Sequence, residues 1–189
     1  MNRDWSNITL KEFYKIQEII EVQDEWTMYN LLDYLYDIDS AEMPVSKVKQ
    51  YSLGFLNENI DDIDISKFND PKYDTNLDLT KVTVAQFVDY NNYIKEKNNF
   101  EKILSVFIVP KGHTYNDGYD LKEVQEDILN WPFAVTKKIA FFFIRQLQTF
   151  VTLFLHYLKD EVKGTNKEKE IQQILDKTNL MLSELSPIS

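Results

Sequence analysis

The run Ile139–Leu158, IAFFFIRQLQTFVTLFLHYL, is the most apolar stretch of the chain and limits its fold more than any other. At helical spacing Ile139, Phe143, Leu147, Phe150, Phe154 and Leu158 fall on one stripe. Phe142, Ile144, Val151 and Leu155 widen it over most of the circumference. The length would suit a membrane span. Arg145, Gln146 and Gln148 near the middle would each be costly in hydrocarbon, so no span is expected. The pattern predicts instead a central helix over 134–158, clad on most sides by other helices.

Such cladding must come from the rest of the chain, and the composition suits it. Hydrophobic residues make up 43%, enough to build a core, and 4 glycines with 5 prolines are too few for a loop-rich β sandwich. At 189 residues the chain can hold one domain or two small ones. The net charge of −10 argues against nucleic acid as a partner, because phosphate binding needs a basic face. Without cysteine, disulfides and thiolate metal sites are excluded. MNRDWSNITL has no apolar signal core, so export by that route is not expected.

In chain order, Thr9 followed by Glu12 has capping-box spacing, with Ile8 as the hydrophobic residue of a staple. Phe13, Ile16, Ile19 and Ile20 continue a helix. A second helix is expected from about Asp24, with Trp26, Tyr29, Leu32 and Leu35 on one face. A third starts after Pro44, with Val48, Tyr51 and Phe55 as its stripe. These make a first helical unit over 1–58. Residues 59–78 change character. Partial alternation and the turn signal Asn69-Asp70-Pro71-Lys72 predict a short β-hairpin with strands near Asp64–Phe68 and Lys72–Asn76; the alternative for 59–78 is an ordered acidic loop.

The beginning of the chain then recurs. Residues 78–87, DLTKVTVAQF, align without a gap on residues 4–13, DWSNITLKEF, and the capping box returns as Thr83 with Gln86. Tyr93 and Ile94 fall where Ile19 and Ile20 fell. Phe100, Ile103 and Val106 match Trp26, Tyr29 and Leu32; after a small shift, Leu121 and Val124 match Val45 and Val48. A register sustained this far predicts a duplicated helical unit. The second unit, 79–163, includes the apolar helix, which has no counterpart in the first and is expected to fill the groove between the two. Asp120 is placed to cap the helix LKEVQEDIL, and Gly164 to end the long one. The segment 164–189 reads as an amphipathic helix with Ile171, Ile174, Leu175, Leu182 and Leu185 on one side. Those five are the candidate partner-binding residues, if that helix docks in a partner's groove and does not pack on the body. The fold expected is mainly α: a compact helical bundle, one domain, with an internal duplication and a short β-hairpin between the two units.

The chemistry expected is sparse. His113 and His156 have no ligand-type companions at motif spacing, and His156 on the apolar helix reads as a structural histidine. Asn116-Asp117-Gly118-Tyr119-Asp120 lacks the alternating ligands and bidentate glutamate of a calcium loop and reads as a tight turn. Asp61, Asp62 and Asp64 read as a solvated acidic cluster. No phosphate-cradling loop or nucleophile arrangement is present. The expectation is a non-enzymatic protein with no catalytic residues, no cofactor and no metal.

Several stretches carry a resemblance: Trp5, Ile8, Thr9 and Phe13 at the first helix start, the stretch 79–89 after the central hairpin, Tyr115–Asp120, and Pro132-Phe133-Ala134 leading to Phe141-Phe142-Phe143. Together these resemble the small helical tail-assembly or baseplate-hub chaperones of tailed bacteriophages, over roughly residues 4–158. The resemblance implies a protein that binds an unassembled tail or baseplate protein in the host cytoplasm and is commonly absent from the finished particle. The alternative is a permanent structural subunit of a tail, neck or baseplate, retained in the virion.

Overall fold

The computed structural model describes residues 3–74, 82–161, 163, 164, 167, 169, 172, 173 and 176; at 147, 148, 150, 151, 154, 155 and 158 it describes the backbone alone. Its α-helices are α1 (Leu10–Glu21), α2 (Thr27–Tyr36), α3 (Val45–Leu56), α4 (Val84–Tyr93), α5 (Phe100–Phe107), α6 (Leu121–Leu129) and α7 (Phe133–Glu161), with a short 3-10 turn at Ile60–Asp62. Two short strands, β1 (Tyr73–Asp74) and β2 (Val109–Pro110), complete a mainly α fold. Contacts divide the chain into two compact units, 1–140 and 141–189. The division falls inside the long apolar helix.

Within the first unit the three-helix order recurs as the sequence suggests. Thr9 Oγ1 accepts from the Glu12 backbone N–H at 3.2 Å while the Glu12 carboxylate accepts from the Thr9 N–H at 2.9 Å. Thr83 and Gln86 repeat both bonds at 3.3 and 2.9 Å. Each cap satisfies donors that a helix start leaves without partners. Packing then proceeds from neighbour to neighbour, α1 on α2 on α3 and α4 on α5 on α6. Aligned positions do the same work: Ile16 and Tyr90, Leu32 and Val106, Val48 and Val124, and Phe55 and Trp131 are all buried. Asp120 caps α6, its Oδ1 accepting from Lys122 N at 2.9 Å.

The start of α7 joins the two repeats. Phe133 stacks on Phe13 of α1 with ring centroids 3.6 Å apart and meets Phe100 of α5 edge-on at 6.3 Å. The chain just before it bridges to the start of α1: Leu10 N donates to Trp131 O at 2.9 Å, and Phe133 N to Ile8 O at 2.7 Å. Trp5 closes the cluster, with Phe55, Phe133 and Phe13 around its ring and its indole N–H on Phe55 O at 3.0 Å. The side chain that meets both repeats is thus Phe133, in the first turn of α7 and ahead of the 139–158 run.

Four expectations are corrected. The β pairing is not local: Tyr73 and Asp74 lie antiparallel to Pro110 and Val109, and 64–68 forms no strand. The turn at Asn69–Lys72 is present, with Lys72 N donating to Asp70 Oδ1 at 2.8 Å, but its far side pairs with the segment after α5. The second helix starts at Thr27, because Asp24 turns the chain first by accepting from Trp26 N and Thr27 Oγ1. Trp26 and Tyr51, which periodicity assigns to buried stripes, are each 51% exposed; Trp26 stands ahead of α2 as its N-cap, and Tyr51 lies beside the buried Val48, Ser52 and Phe55 of α3. The cladding of α7 also ends early. Ala134, Val135, Thr136, Ala140, Phe143 and Ile144 are buried, but Phe142 is half exposed, and no described side chain beyond Ile144 is buried. No described helix is long and apolar enough to cross a membrane.

Candidate partner-binding surfaces

The polar groups of the first unit are largely turned on one another. The densest cluster pins the loop before β1 to α6. Lys72 Nζ lies 2.7 Å from both Glu123 Oε1 and Asp127 Oδ2, and the Tyr73 hydroxyl donates to Asp127 Oδ2 at 2.5 Å. The Trp131 indole donates to Asp70 Oδ2 at 2.9 Å, and Lys111 Nζ to the carbonyl of Pro71 at 3.0 Å. Lys72 and then Tyr73 hold the Asp127 carboxyl below its ordinary range, and the Lys72 ammonium is raised in return by Asp127 and Glu123. Burial, reinforced by Asp127, pushes the Tyr73 hydroxyl up. This network closes on itself and positions β1.

A second polar contact ties the repeats together. The Tyr14 hydroxyl donates to Glu101 Oε2 at 2.6 Å and accepts from Phe100 N at 2.9 Å. Glu101 is buried at the start of α5, where a helix N-terminus favours a carboxylate. Burial, then the Glu101 bond, raises Tyr14 far above the ordinary tyrosine range. Tyr115 makes a like contact with Asp89 at 2.7 Å, joining the loop before α6 to α4.

The acidic stretch does not converge. Asp61 pairs with Lys137 at 3.1 Å, Asp62 accepts from Asn59 Nδ2 at 3.0 Å, and Asp64 accepts from Ser66 N at 2.8 Å. A cleft of about 300 Å³ beside Trp5 is lined by Asp4, Ser6, Glu58, Asn59, Asp62 and Ile63. Among the described residues no group of three or more acidic or imidazole side chains is placed to hold a metal ion. His156 is exposed on α7, and His113 lies in the loop after β2 with Nδ1 2.9 Å from Asp117 O.

What remains exposed and apolar lies on helices. On α4, Val84 is 81% exposed, with Phe87 and Val88 open beside it at one turn's spacing. On α7, within the second unit, Phe142, Leu153 and Tyr157 are exposed, and Arg145, Thr149, Thr152 and Leu153 line a shallow depression of about 380 Å³. A helix wheel puts Phe142, Leu153 and Tyr157 within one sector. The five sequence-predicted partner-binding residues, Ile171, Ile174, Leu175, Leu182 and Leu185, lie outside the described residues.

Sequence reasoning missed the α4 face. Val84 and Phe87 align with Leu10, which is buried, and Phe13, which is half-buried, and over these the Trp131–Phe133 junction lies. No second junction of that kind follows α3 in the sequence, and that asymmetry was the available signal.

No family model, curated protein or solved structure is matched by this chain.

Proposed function

We propose that the protein is a non-enzymatic chaperone of phage tail assembly, which holds an unassembled tail or baseplate component in the host cytoplasm. The observation that carries the reading is the exposed sector of α7, Phe142, Leu153 and Tyr157, on a helix whose first turns are buried. Exposed aromatic and aliphatic side chains grouped on one helical face are suited to covering an apolar patch on another protein. The net charge of −10 fits the same role, since mutual repulsion limits self-association of the chaperone while its apolar face is free. Binding would shield the component from premature polymerisation and end when a stronger assembly contact displaces it.

The test is quantitative mass spectrometry of infected-cell lysate and of purified particles. The reading expects the protein abundant in lysate and absent from particles. Retention at fixed stoichiometry in particles would instead make it a structural subunit.

A further inference from the structure

The loop between β2 and α6 contains a reactive pair that the binding role does not use. Asp117 is the only aspartate or asparagine in the sequence followed by glycine. Both residues are exposed, Gly118 has φ +72°, and nothing beyond its chain neighbours lies within 4 Å of where its Cβ would be. Among the described residues the Gly118 N–H has no hydrogen-bond acceptor. The Asp117 carboxylate is held only by a long 3.4 Å contact from the Thr114 hydroxyl. The decisive contact is on the main chain. His113 Nδ1 lies 2.9 Å from Asp117 O, and since a carbonyl only accepts, Nδ1 carries the proton. Tyr119 lies edge-on to the imidazole at 5.8 Å.

We propose that Asp117-Gly118 is a self-modification site at which the chain isomerises to isoaspartate with the aid of His113. The Gly118 nitrogen gives up its proton and bonds to Asp117 Cγ. The protonated carboxyl loses its hydroxyl, and one water leaves as a succinimide closes. Water then reopens the ring. Addition at Cγ restores aspartate; addition at the main-chain carbonyl carbon breaks its bond to nitrogen and leaves the chain running through Cγ. The only co-reactant is water. The His113 N–H withdraws charge from the Asp117 carbonyl, which makes the Gly118 N–H more acidic. It also stabilises the oxyanion formed when water adds at that carbon. The product has an extra methylene in the main chain just ahead of Asp120, the cap of α6, and so alters the loop that Tyr115 ties to α4.

The experiment holds the folded protein at neutral pH and body temperature in oxygen-18 water, then maps isoaspartate by mass spectrometry. Isoaspartate accumulating at 117 with one oxygen-18 atom incorporated is expected. Asp117→Glu should bring it to background, and His113→Gln should slow it with an unchanged thermal melt. No isoaspartate at 117 in the wild-type protein would overturn the site, and equal rates with and without His113 would overturn its role.

Discussion

Phe133 and Phe142 sit two and a half turns apart on the same helix, yet they do different work. Phe133 is 3% exposed and touches the rings of Trp5, Phe13 and Phe100, so it holds both repeats. Phe133→Ala is expected to cost about 3–5 kcal/mol, the range for a truncated core phenylalanine. Phe142 is 51% exposed, and Phe142→Ala should stay within about 0.5 kcal/mol of wild type. Chemical denaturation of the two variants checks both figures; a large loss for Phe142→Ala would place that ring in a core. Tyr14 gives a second residue-scale test. Tyr14→Phe removes the hydroxyl from the buried Glu101 carboxylate and from Phe100 N, at a cost of about 1–3 kcal/mol. Tyr14→Phe leaving the denaturation midpoint unchanged would show that the contact adds nothing.

At the scale of elements, the caps were the most legible feature because they depend on side chains three residues apart. Thr9 with Glu12, Thr83 with Gln86, and Asp120 before α6 all form as the local sequence dictates. Each should lose about 1 kcal/mol on substitution by alanine, measured by thermal melts. Thr9→Ala should be the costlier of the two threonine changes, because the start of α1 also carries the bridge to Trp131 and Phe133. Equal losses at Thr9 and Thr83 would show that the bridge does not depend on the cap. The β pairing was not legible. Alternation around Ile63 and Ile65 resembles a strand, but no local rule names Val109-Pro110 as the partner of Tyr73-Asp74. That choice is made by tertiary contacts, with Lys72, Tyr73 and Asp127 fixing the loop against α6. Helix edges were misread for a related reason. Periodicity gives the direction of a face but neither its width nor the residue at which the helix starts, so Tyr51 on α3 and Trp26, the N-cap of α2, stand half exposed.

The same limit applies to the whole molecule. A duplicated helical unit is readable from aligned caps and core positions. Which copy of an equivalent face is covered depends on where the Trp131–Phe133 junction lies, and only the structure supplies that. The pH response also belongs to the whole molecule. Glu12 and Asp127 are held below the ordinary carboxylate range: Glu12 by the Thr9 backbone and hydroxyl and by Arg3 against the opposing effect of burial, Asp127 by Lys72 and Tyr73. Their contribution is complete above about pH 4 and lost as pH falls through the lowered folded values. Tyr90 is pushed up to about 12 by burial, and Tyr14, Tyr73 and Tyr115 are raised as well. For these the contribution is complete below about pH 10 and lost as pH rises through the raised values. Melting temperature should therefore fall at both ends, and an ultraviolet titration should show a late group of tyrosines. A single step near pH 10 would contradict the burial of Tyr90.

The most direct test of the binding claim is affinity capture from infected lysate of the source cells, comparing the wild-type chain with a Phe142→Asp, Leu153→Asp variant of unchanged melt. One tail or baseplate protein at near-equal stoichiometry is expected with the wild type, and its loss is expected with the variant. Capture of no tail or baseplate protein, or undiminished capture by the variant, would contradict it.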